Sequence, residues 1–115
     1  MKQLKFKFDL DSRVAIYVPS TNDINKPVDN SQIVLDVIKE LSLLFGGATA
    51  SDAVGGWISA NGETVIEKVT IVYSFCNNDS LKNNIEQIIE ICERLKKDMS
   101  QEAITLEING QVKFI

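Results

Sequence analysis

The chain has 115 residues, a net charge of −4 and 44% hydrophobic residues. That length suits one domain, and that apolar content builds a core without metal or disulfide staples. Histidine is absent and the cysteines number two. This excludes Ser–His–Asp and Cys–His nucleophile arrangements and leaves a zinc site without its usual ligands.

The N-terminal "LKFKFDL" alternates strictly. Leu4, Phe6, Phe8 and Leu10 share one side; Lys5, Lys7 and Asp9 share the other. The spacing predicts a half-buried strand, an addition to the main fold that seeks a pairing partner. With Lys2, the two lysines form the only local basic stripe. No apolar run of signal-peptide or membrane-span type appears, so the cytoplasm is the expected compartment and no membrane the expected setting. A turn is expected at Asp11-Ser12-Arg13. "VAIYV" then reads as a buried strand, and "PSTNDINKPVDNS" as a loop.

Asn30 or Ser31 is expected to cap a helix running to about Phe45. Ile33, Val34, Val37, Ile38, Leu41, Leu44 and Phe45 recur at helical spacing, and Gly46 provides a left-handed stop. Two strands follow, around 48–60 and 63–76, joined by a type I′ turn at Asn61-Gly62. Gly55-Gly56 inside the first arm suggests a bulge or a close approach by another group. In the second arm Val65, Val69, Ile71, Tyr73 and Phe75 are expected to face the core.

Asp79 or Ser80 begins a second helix, about 80–99. Its expected stripe is Leu81, Ile85, Ile88, Ile89, Cys92, Leu95 and Met99, with its glutamates and lysines as the solvated face. Asn109-Gly110 marks a closing hairpin. The order predicts an α+β, ferredoxin-like (split βαβ) antiparallel sheet over 1–115, with two helices on one face.

No phosphate-binding glycine motif and no metal or cofactor set is present in the sequence. Glu67 is expected near the strand that carries Arg13, in a structural ion pair. "IYVPST" is similar to the first-strand motif of RNA-recognition domains, but "EKVTIVYSF" lacks the basic-glycine signature of their third strand. With the acidic charge, nucleic acid is not an expected partner.

Gly47, Thr49, Asp52, Gly55, Trp57, Gly62 and Glu67 follow a pattern that resembles a family of short bacterial proteins of unknown function, G-x-T-x-x-D-x-x-G-x-W with a turn glycine and glutamate beyond it. The resemblance covers roughly Val14 to Ile115. It implies a ferredoxin-like α+β domain and no established activity. Thr49, Asp52, Trp57 and Glu67 are the candidates for a partner or ligand site. A structural role for Trp57, plugging a sheet end, is the alternative.

The expected function is a non-catalytic protein-interaction module. A stoichiometric inhibitor of the phage- or plasmid-encoded anti-defence type, such as an anti-CRISPR, fits the profile, with a protein partner and a homodimer formed through the sheet or the first strand. The alternative is a small-ligand binder or carboxylate-dependent enzyme using the Thr49–Glu67 region. An RNA binder is the third reading.

Overall fold

A computed structural model describes residues 4–22 and 26–115. Lys2 and part of the expected loop after Pro19 lie outside the described residues. The elements are β1 (Ser12–Pro19), β2 (Thr21–Asn22), β3 (Lys26–Pro27), α1 (Ser31–Phe45), β4 (Thr49–Ile58), β5 (Thr64–Cys76), α2 (Asn78–Asn83), α3 (Ile85–Asp98), β6 (Thr105–Ile108) and β7 (Gln111–Phe114). Five strands form one antiparallel sheet in the order β4-β5-β1-β6-β7; β2 and β3 form a separate small ribbon.

The helices cover one face of this sheet. Val14, Ile16 and Val18 of β1, Val72 and Cys76 of β5, and Leu106 of β6 meet Val37 and Leu41 of α1 and Ile88, Ile91, Cys92 and Leu95 of α3. Each such fully buried aliphatic side chain contributes about 1.5–3 kcal/mol. The other face carries no helix. Arg13, Tyr17, Glu67, Ile71 and Tyr73 lie there by strand parity.

This reverses the expected facing of β5. Thr70, Val72, Ser74 and Cys76 are the buried set, and Tyr73 and Phe75 stand on the open face. The apolar odd positions make the wrong pattern attractive. The even positions win because their polar members find partners under the helices: the buried Ser74 hydroxyl donates to the Gly47 carbonyl at 2.7 Å.

The N-terminal segment is not a strand. No strand is assigned from Leu4 to Asp11, and Leu4, Phe6 and Phe8 are at least 70% exposed. Alternation supplies a face but not a neighbour. Ser12 and Arg13, expected in a turn, already belong to β1.

The expected second helix is two. It starts two residues earlier, at Asn78, where Asn77 Oδ1 accepts from the Ser80 amide at 2.7 Å, and it breaks at Asn84. The stripe Leu81, Ile88, Cys92, Leu95 and Met99 is buried as expected, but its flank is Ile91, with Ile89 exposed. α1 runs as expected, and Gly46 closes it at φ +89°.

The β4–β5 loop takes positive φ only at Gly62, +85°. It is a three-residue loop, with Gly62 N–H donating to Ser59 O and Ser59 N–H to Glu63 O. Asn109 and Gly110 both take positive φ, as a type I′ turn requires. β4 and β5 pair without a bulge: Gly55 faces Glu67, Gly56 faces Ile66 and Trp57 faces Val65 in unbroken register. The bulge expected at the glycine pair is therefore absent.

Candidate functional site

The β4–β5 hairpin outruns its neighbour. β1 pairs only with Val69–Cys76, so the stretch of β5 before Val69 is flanked by β4 alone. The step left at the end of β1 forms a cleft of about 320 Å³. Trp57, Gly55 and Glu67 line it from the hairpin, Tyr17 and Pro19 from β1, and Thr105 from the edge of β6. No helix covers it.

Trp57 and Glu67 are diagonal neighbours on one face, because Trp57 is in register with Val65. Diagonal pairs of this kind lie about 7–8 Å apart, within reach of an aromatic side chain. Trp57 is 50% exposed and so does not plug the sheet end.

The other two residues singled out in the sequence lie elsewhere. Thr49 is in register with Tyr73, eight residues along the same strand from Trp57, or about 27 Å by strand rise. Asp52 points to the opposite face. Its Oδ1 accepts from the Thr70 hydroxyl at 3.2 Å, and Thr70 Oγ1 accepts from Asn30 Nδ2 at 3.4 Å. Asn30 also donates to the Pro19 carbonyl at 3.0 Å. This chain ties β4, β5 and the end of β1 to the start of α1. Thus Trp57 and Glu67 come together, while Thr49 and Asp52 do not join them.

Glu67 does not pair with Arg13. Arg13 is in register with Phe75, at the far end of β5, and its carboxylate neighbour is Glu107, with Nε 3.6 Å from Oε2. The guanidinium also sits over the Tyr73 ring, 4.2 Å from its centre. Arg94, the other arginine, pairs with Glu40 between the two long helices.

Tyr17 was not foreseen as a site residue, since "VAIYV" reads as wholly buried. The signal was its parity: Val14, Ile16 and Val18 point under the helices, so Tyr17 must point away. Its hydroxyl donates to Glu107 Oε1 at 3.1 Å. Burial, then the hydrogen bond and charge of Glu107, hold its pKa above the ordinary value, against the opposing pull of Arg13.

Among the described residues no group of three or more Cys, Asp or Glu is placed to hold a metal ion. Both cysteines are buried free thiols. No helix among the described residues is long and apolar enough to cross a membrane.

No protein-family profile matches the chain, and no curated protein matches it. Two solved structures do. One is a phage SAM lyase in complex with S-methyl-5'-thioadenosine, 15% identical with a TM-score of 0.65, covering 96% of this chain and 95% of that one. The other is a phage SAM lyase in the apo state, 19% identical with a TM-score of 0.66, covering 97% of this chain and 91% of that one. The fold is thus shared along nearly the whole length of both. The finding overturns the expectation of a non-catalytic interaction module, because the proteins that share this architecture are enzymes.

Proposed function

We propose that this chain is a lyase that cleaves S-adenosylmethionine and releases S-methyl-5'-thioadenosine, with the Trp57–Glu67 cleft as its active site. The observation that carries the reading is the end-to-end match to a phage SAM lyase. The cleft supports it with an exposed indole, a carboxylate and an unfilled space beside them. The finer fold assignment belongs to the same reading: the two long helices α1 and α3 on one face and the strand order β4-β5-β1-β6 support a ferredoxin-like, split βαβ plan.

Release of methylthioadenosine breaks the bond between sulfur and the γ-carbon of the methionine moiety, and the bond pair stays on sulfur. Without water, the γ-carbon has two exits. Elimination needs a base to remove a β-proton. Attack by the substrate's own carboxylate needs none: a C–O bond forms as the C–S bond breaks, and homoserine lactone leaves. The second route suits a chain without histidine, because no proton has to move.

In that step a carboxylate attacks the carbon bound to a sulfonium, and the two charges end as an uncharged lactone ester and an uncharged thioether. Water stabilises the separated charges, so the step gains wherever the bound substrate's reacting groups are turned away from solvent. Pro19 and Val69 supply apolar wall at this point. Glu67 does most beside the α-ammonium, whose charge persists through the reaction. A carboxylate at the sulfur would favour the ground state over the transition state. Trp57 offers its face to the adenine, a stacking contact that fixes the nucleoside half.

Trp57 is the only tryptophan, so its fluorescence reports directly on the cleft. Titration with methylthioadenosine should quench it saturably, and incubation with S-adenosylmethionine should yield methylthioadenosine by chromatography. A chain that leaves the substrate intact and the fluorescence unchanged is not this enzyme.

A further inference from the structure

Gly55 occupies the middle of β4, where glycine weakens a strand and offers no side chain to pack. None of the usual reasons for such a glycine applies. Its φ is not positive, the register runs through it without a bulge, and a Cβ built there would meet only the Glu67 carbonyl oxygen, at 4.0 Å. The backbone would accept alanine. Gly56 differs: a Cβ there would come within 3.3 Å of Ile66 Cδ1, on the opposite face.

A side chain at position 55 would stand on the open face, in register with Glu67 and one step along from Trp57. On that row β4 presents Ala53, then nothing, then an indole. The missing side chain is therefore the floor of the cleft. We propose that Gly55 is a specificity-determining residue whose absent side chain clears the space in which the adenosyl group lies flat between Trp57 and Glu67. This rests on the lyase reading above. A β-branched side chain at 55 would occupy the plane that the base needs against Trp57, and would leave the ammonium contact at Glu67 intact.

The test compares Gly55→Ala, Gly55→Val and Gly56→Ala with the parent chain. Three quantities are read: melting temperature, affinity for methylthioadenosine, and KM and kcat for S-adenosylmethionine. Gly55→Ala and Gly55→Val should melt no lower than the parent. Gly55→Val should weaken methylthioadenosine binding and raise KM at least tenfold, with Gly55→Ala intermediate. Gly56→Ala, whose Cβ would meet the end of the exposed Ile66 side chain on the opposite face, should leave affinity unchanged. Parental affinity in Gly55→Val overturns the proposal. So does a melting temperature in Gly55→Ala below that of the parent, since the glycine would then serve the backbone. If the parent chain itself neither binds methylthioadenosine nor cleaves S-adenosylmethionine, the lyase reading fails first and this assignment falls with it.

Discussion

The Tyr17 hydroxyl donates to Glu107 Oε1 at 3.1 Å across the β1–β6 pair. Glu107 also neighbours Arg13, whose guanidinium covers Tyr73. Three strands are thus linked on the open face, β6 to β1 by the carboxylate and β1 to β5 by the guanidinium. The link keeps the phenol protonated, because ionising it would place two negative charges on one hydrogen bond. Glu107→Gln should bring the Tyr17 pKa down, though not to its ordinary value, since burial is the larger cause of the rise. Ultraviolet titration in a Tyr73→Phe background checks this, and an unchanged or higher Tyr17 pKa would count against the link.

Asp52 and Glu67 make a paired prediction, as carboxylates on opposite faces of one hairpin. Thr70→Val removes a buried hydroxyl that both accepts from Asn30 and donates to Asp52. It should cost about 1–3 kcal/mol in chemical denaturation. Asp52→Ala should cost less, about 0.5–1.5 kcal/mol. Neither change should alter methylthioadenosine affinity. An Asp52 variant of normal stability that no longer binds the nucleoside would move the site to the other face.

The sequence made α1 legible because spacing, cap position and glycine stop agree over 15 residues. The closing hairpin was legible because Asn109-Gly110 meets a strict φ requirement. The facing of β5 was not legible. Its odd and even positions are both largely apolar, and only the helices above Ser74 and Thr70 decide between them. The N-terminal segment misled for a related reason: alternation describes one strand, while a strand needs a second. At the site, Trp57 and Glu67 were singled out by the G-x-T-x-x-D-x-x-G-x-W pattern; the expected two-residue turn would pair Trp57 with Ile66, and it is the three-residue loop that sets Trp57 and Glu67 on one face. Thr49 and Asp52 were grouped with them by the same pattern, which carries no information on distance or face along a strand. Tyr17 required knowing which side of β1 the helices occupy.

Cys92 is buried in the helix-covered core, and burial, then Glu93, pushes its thiol up to about 12. A folded pKa above the unfolded one means that the unfolded chain loses its proton first. Stability should therefore fall as pH rises from about 9 to about 12, by up to about 1.4 kcal/mol per pH unit from this group. The difference between the parent and Cys92→Ala isolates it. A parent curve parallel to that of Cys92→Ala above pH 9 would contradict the assignment. The same burial predicts that native Cys92 resists alkylation at neutral pH.

Self-association is a prediction drawn from what the described residues leave uncovered. Leu4, Phe6, Phe8 and Leu10 alternate along an exposed segment, and β4 and β7 are both free sheet edges. An edge of this kind pairs readily with another strand. The predicted species is a homodimer, with a mass by light scattering of about twice 12.8 kDa. Replacing Phe6 and Phe8 by serine should return it to the monomer. A parent chain that scatters as a monomer at micromolar concentration would refute the pairing.

The most direct test of the account is turnover in oxygen-labelled water. The purified chain is mixed with S-adenosylmethionine, and both products are identified by mass spectrometry. The account predicts methylthioadenosine and an unlabelled lactone of homoserine as the first products. It also predicts that Glu67→Gln lowers kcat/KM at least a hundredfold, about 2.7 kcal/mol, mainly through KM and without changing the melting temperature. Intact substrate, label in the first-formed four-carbon product, or full activity in Glu67→Gln would contradict it.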